Sequence, residues 1–176
     1  PYLDSSNLPD EKNIAESITD NSSLILLEVG DDNTRRVPCW AELDAGETDP
    51  AIRALLINPA EILQPDHQYI VVLRNLLDID GAPIIPSPAT QALLDGATRG
   101  TAMADRQIHF DRIFESLEEV GISKGSVQAV WDFHTASKNS LHGPMTVLFD
   151  RALEITGQDG PDIIIHDDDI ESCVAD

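Results

Sequence analysis

The sequence predicts a mixed, mainly β protein: a β-core with a helical insertion between strands and a further helix near the C-terminus. Three observations carry this. Residues 69–73 (YIVVL) are apolar at every position, as a strand buried on both faces requires. After Pro86 alternation gives way to a helical stripe, opened by Ser87-Pro88 and closed by Gly121. At residues 125–136 (GSVQAVWDFHTA) alternation returns. Strands, then helices, then a strand imply an insertion into a sheet rather than repeated βαβ units.

Taken in order, residues 1–22 are polar and read as a lead-in segment with one helical turn over 11–18. Residues 23–30 (SLILLEVG) form a first strand, and Asp31 to Thr34 turns it. Residues 35–43 (RRVPCWAEL) return as a second strand, in which Pro38 marks an edge or a bulge. Residues 54–86 read as strand, turn, strand, turn, strand, with Pro65-Asp66 and Asp80-Gly81 as the turns. A short helix follows to Leu94. A longer one over 102–120 is built on Ile108, Ile113, Phe114, Leu117 and Val120. In the returning strand Val127, Ala129, Trp131 and Phe133 share one face, and Val130, Asp132 and His134 the other. Ser137 caps a helical segment that Gly143-Pro144 is expected to break, so that the stable helix starts near Pro144. Residues 162–166 (DIIIH) read as a last strand and 167–176 as an acidic tail or linker. The folded body is therefore expected over 23–166, with its helical insertion at about 87–121.

Composition narrows the function classes. Acidic residues number 32 against 11 basic ones, a net charge of −21. That surface repels phosphate backbones and anionic membranes, which argues against a nucleic-acid partner. No run reaches the ~18 apolar residues of a membrane span. The chain opens at Pro1 and ends after an acidic run, and reads as a piece of a longer protein. Cys39 and Cys173 are candidates for one disulfide, although spacing does not show that they meet.

Chemistry-bearing motifs are few. Residues 121–125 (GISKG) match the G-x-S-x-G nucleophile elbow, which needs a strand before the serine and a helix after it. Here a helix precedes and a strand follows, so Ser123 is read as a decoy within a helix stop and turn, and no catalytic residue is assigned. The five histidines (His67, His109, His134, His142 and His166) form no H-x-x-x-H pair. Asp132 and His134 could line a shared groove; His109 sits on a helix flank facing solvent. Calcium is the one cofactor considered, with Asp167, Asp168, Asp169 and Glu171 as the candidate ligands. Asp31-Asp32 is a lesser acidic cluster, and Asp78-Ile79-Asp80-Gly81 reads as a hairpin turn, since Gly81 follows too early for an EF-hand loop. Among the aromatics, Trp131 and Phe133 are expected to pack inward, leaving Trp40 as the candidate for exposure.

A resemblance adds to these readings. In residues 58–96 a P…L.P…Y.V.L.N…D.DG.P pattern is filled by Pro59, Leu63, Pro65, Tyr69, Val71, Leu73, Asn75, Asp78, Asp80, Gly81 and Pro83. Ser87-Pro88, a helical passage and the strand WDFHTAS (131–137) follow. This pattern resembles the N-terminal immunoglobulin-like domain of bacterial virulence-factor lipases and related exported α/β-hydrolase-like proteins. It departs from that pattern at Asp66-His67, where a Gly-Thr-like turn is usual, and at His134, where Thr is common. The resemblance implies an immunoglobulin-like β-sandwich that is secreted or on the cell surface. It would be a non-catalytic accessory domain whose partner is the adjacent catalytic domain of the same parent chain. Two readings stand beside it: a calcium-dependent adhesion or scaffold module of a bacterial surface protein, and, last, a stand-alone serine hydrolase.

Overall fold

The computed structural model describes residues 2–30, 33–158 and 160–161. It separates into two units, Pro1–Thr135 and Ala136–Asp176, each taken by itself. The expected strand over 162–166, the calcium candidates Asp167, Asp168, Asp169 and Glu171, and Cys173 lie outside the described residues, as do Asp31 and Asp32.

The first unit is mixed α/β with antiparallel sheets. Its strands are β1 (Leu3–Asp4), β2 (Leu24–Val29), β3 (Thr34–Val37), β4 (Cys39–Leu43), β5 (Leu55–Pro59), β6 (Gln68–Arg74), β7 (Leu77–Asp78) and β8 (Val127–His134). Its helices are α1 (Pro88–Asp95) and α2 (Gln107–Glu119). The central sheet runs β3-β2-β6-β8; β4 pairs with β5, and β1 with β7. β6 is therefore an interior strand, which is why its apolar run has no polar face. All of Tyr69 to Arg74 is buried.

Each face of the central sheet carries its own core. Ile25, Leu27, Ile70, Val72 and Val130 face α1 and α2, meeting Leu93, Ile113, Phe114 and Leu117. The alternate residues Leu24, Leu26, Tyr69, Val71 and Leu73 face the β4–β5 hairpin, with Val37, Cys39 and Ala41 buried against them. The register makes this consistent: Ile25 opposes Val72 and Leu27 opposes Ile70, so side chains on one face stay together across the ladder. The polar N-terminal segment takes part, since Leu8 is buried in the second core and β1 pairs with β7.

Pro38 is the corner of the fold. Residues 35–43, expected as one strand, divide there: β3 bonds to β2 in the central sheet, while β4 bonds to β5 in the covering hairpin. Proline has no N–H to offer a ladder, so the chain leaves one sheet and enters another at that residue. The Pro38 carbonyl still accepts from the Ala60 amide at 2.8 Å.

The helical insertion begins and ends where local chemistry says it should. Ser87 caps α1 by accepting from the Thr90 amide at 3.1 Å, with Pro88 in the first turn. At the end of α2, the Ile122 amide donates to the Leu117 carbonyl (2.8 Å) and the Gly121 amide to the Glu118 carbonyl (3.0 Å). This is a Schellman stop, and it requires the left-handed backbone of Gly121, φ +76°. One expected member of the stripe is misplaced: Ile108 is 70 % exposed. Nine residues at about 100° each put it half a turn from Leu117, on the opposite side of the helix. Phe110, packed against the first core, takes its place.

After the insertion the chain returns as β8 and pairs antiparallel with β6, Tyr69 opposite Phe133 and Val71 opposite Trp131. In the second unit α3 (Lys138–Thr156) runs straight through Gly143-Pro144. The break expected there does not occur. Ser137 nucleates the helix upstream, accepting from Ser140 N at 3.1 Å, so Pro144 removes one hydrogen bond inside a helix already begun.

Candidate functional site

The GISKG turn lies between α2 and β8. Ser123 is exposed, and its carbonyl accepts from both the amide (3.0 Å) and the hydroxyl (2.7 Å) of Ser126. Lys124 sits with its ammonium 4.3 Å from the centre of the Phe114 ring, a cation–π contact that fixes the turn against α2. Gly121 and Lys124 thus have local structural work, and no strand leads into the serine. Beside the turn is a groove of about 850 Å³, bordered by Asn7, Leu76, Leu94, Lys124, Ser126 and Gln128. Gln128 is occupied in holding the β7 segment. It donates to the carbonyls of Leu76 (3.0 Å) and Ile84 (2.5 Å) and accepts from the Leu76 amide (2.5 Å).

A second polar cluster joins α2 to the central sheet. His109 Nε2 lies 2.8 Å from Asp132 Oδ1, and Gln68 Nε2 donates to Asp132 Oδ2 at 2.7 Å. The expectation that His109 points to solvent from a helix flank is corrected in part: its ring is half exposed but its nitrogen is bonded to β8. Asp132 meets His109 from another element, not its strand neighbour His134. Contact across such a distance in the chain leaves no local spacing to read.

The third cluster, centred on Tyr69, was not anticipated. The Tyr69 hydroxyl donates to Glu28 Oε2 at 2.7 Å and accepts from the Gln64 amide at 2.8 Å. Arg35 Nη2 reaches the same carboxylate oxygen at 2.9 Å and Glu61 Oε1 at 2.6 Å. Burial, then the neighbouring Glu28, push the Tyr69 phenol up to about 12. Burial alone would raise Glu28, but bonds from Tyr69 and Arg35 together hold it below the usual carboxylate range. The cluster ties β2, β3 and β6 together. Its visible signal was Glu28 and Arg35 flanking one turn; the tyrosine partner depends on sheet register.

Arg74 is buried at the other end of β6, where Nε donates to the Ser22 carbonyl at 2.8 Å and Nη2 donates to the Asp20 carbonyl. Burial, then the nearby Arg36 charge, lower its pKa, and the carbonyl bonds offset that cost structurally.

Asp78 belongs to the turn, as expected: its Oδ1 accepts from Asp80 N (3.0 Å) and Ala82 N (2.8 Å), and Leu77 bridges Pro83. Among the described residues no three His, Cys, Asp or Glu side chains converge as metal ligands do. Nor does any helix among them have the length and apolarity to cross a membrane.

Cys39 is fully buried, its amide donating to Ser17 Oγ at 3.0 Å. Burial pushes its thiol up to about 11. In a Cys173→Ser background, Cys39 is therefore expected to resist an aromatic disulfide reagent at pH 8 in the native state and to react fully in urea. Stoichiometric reaction without denaturant would contradict the buried placement.

The aromatics reverse the expected order. Phe133 stacks on Tyr69 with ring centres 5.5 Å apart, but Trp131 is 40 % exposed while Trp40 is only partly so. Trp131 does face the side of the β4–β5 hairpin, yet it stands on the last strand of the sheet, where the hairpin no longer covers it. No family model, curated protein or solved structure matches this chain.

Proposed function

We propose that the chain is a non-catalytic, immunoglobulin-like accessory module of a larger exported lipase- or esterase-like hydrolase, packing against or guarding the catalytic domain of the same parent. One observation carries the reading. The two segments that bear the resemblance lie far apart in sequence yet are neighbouring strands in register, Tyr69 against Phe133 and Val71 against Trp131. The intervening helices cover one face of the sheet and a two-stranded hairpin covers the other. The corner at Pro38 supports a sandwich reading, because strands that change sheet make such corners. The reading rests on the pattern resemblance and on the structural employment of the GISKG turn, so chemistry is the test.

The purified chain is expected to release no nitrophenol from p-nitrophenyl acetate or butyrate above a serum-albumin control. Turnover that disappears in Ser123→Ala would overturn the accessory role.

A further inference from the structure

β8 ends the central sheet. It pairs with β6 on one side, and among the described residues no strand pairs with its other side. β5 is likewise the outer strand of its hairpin, bonded to β4 alone. Exposed sheet edges are ordinarily blunted by lysine, proline, a bulge or brevity. β8 (VQAVWDFH) has eight residues and neither Lys nor Pro, and its one register shift lies at the Val127 end, opposite Leu73 and Arg74. From Ala129 to His134 its ladder is regular.

An apolar slot opens beside this edge. It has a volume of about 270 Å³ and lies between Leu55, Ile57 and Pro59 of β5 and Leu26, Val71, Trp131 and Phe133 of the central sheet, running from β2 to β8. A bare backbone edge supplies main-chain donors and acceptors, and a slot on one face of it receives every second side chain. Those are the two requirements of strand addition.

We propose that the β5–β8 cleft docks an extended segment of another polypeptide, which adds to β8 as a fifth strand and seats alternate apolar side chains against Trp131, Phe133 and Ile57. The charge of the chain specifies the rest of that segment. The whole chain carries −21. The residues between the apolar ones are therefore Lys or Arg. A second copy of this chain would bring a further −21 and repel. The inference does not rest on the accessory role proposed above.

The test is fluorescence anisotropy of the labelled peptide KVKVKVKVK with the full chain, at a salt concentration that screens diffuse attraction. The alternating peptide is expected to bind at least about tenfold tighter than KKKKKVVVV, which has the same charge and composition. N-methylation at alternate residues is expected to cost at least about tenfold when it falls on the bonding edge and little on the other. Trp131→Ala and Ile57→Lys are expected to weaken binding to a similar extent. Should either variant lose its fold, the two peptide comparisons on the unaltered chain still decide. Equal binding of both peptides means charge attraction only, and overturns the proposal. So does absence of binding at millimolar peptide, or a dimer of this chain in sedimentation that the peptide fails to dissociate.

Discussion

Leu117→Ala is expected to lower the stability of the first unit by about 3 kcal/mol, whereas Ile108→Ala on the same helix changes it by no more than about 0.5 kcal/mol. Leu117 is fully buried among the helix-facing side chains of β2 and β6, so truncation removes apolar contact and leaves a cavity that a rigid sheet fills poorly. Its carbonyl also accepts the Ile122 amide that closes α2, which places the loss at the point where the helical insertion turns back to the sheet. Ile108 points away from the sheet and is mostly exposed. Alanine improves helix propensity slightly at both positions, so the contrast between them is free of that effect. Urea unfolding of the two variants measures it. For a unit of this size the Leu117 change corresponds to a fall in thermal midpoint of roughly 10 °C, read in a separate heat-unfolding experiment. Equal costs at the two sites would mean that α2 packs through a different face.

What the sequence made legible depended on how local the cause was. Residues 69–73 could be assigned because an apolar run bracketed by turn residues has one economical reading, a strand covered on both faces. Ser87-Pro88 and Gly121 were legible because caps act through bonds within five residues. Helix phase is legible from angle: at about 100° per residue Ile108 falls opposite Leu117 although both are apolar. Pro38 announced an irregularity without saying that the chain changes sheets there, since that outcome depends on where β5 lies. Trp131 has the alternation of a core residue, and its exposure follows from β8 being the outermost strand among the described residues, which no pattern within β8 encodes. Gly143-Pro144 has the local form of a helix start, but the Ser137 cap six residues earlier has already begun the helix. Among the site residues, His109 with Asp132 and Tyr69 with Glu28 are long-range pairs fixed by register, so their composition was visible and their meeting was not.

The Tyr69 cluster yields a prediction with a definite sign. Tyr69 is fully buried, and its proton is held between the Glu28 carboxylate and its own oxygen, which also accepts the Gln64 amide. An unfolded tyrosine titrates near 10, and burial followed by the Glu28 charge raises the folded value to about 12. A raised value means that the folded state binds this proton more tightly. The associated stability is complete below pH 10 and is lost as pH rises toward 12, about 2–3 kcal/mol in all. Tyr69→Phe lacks that titration. It begins less stable, by about 1–3 kcal/mol at pH 8, because the Gln64 amide and one bond to Glu28 lose their partner. The stability gap between the two proteins is therefore expected to close as pH rises from 10 to 12. Urea unfolding at pH 8, 10, 11 and 11.5 measures the gap. A gap that stays constant across this range would mean that the phenol does not hold its proton against Glu28, the residue opposite it in the β2–β6 ladder.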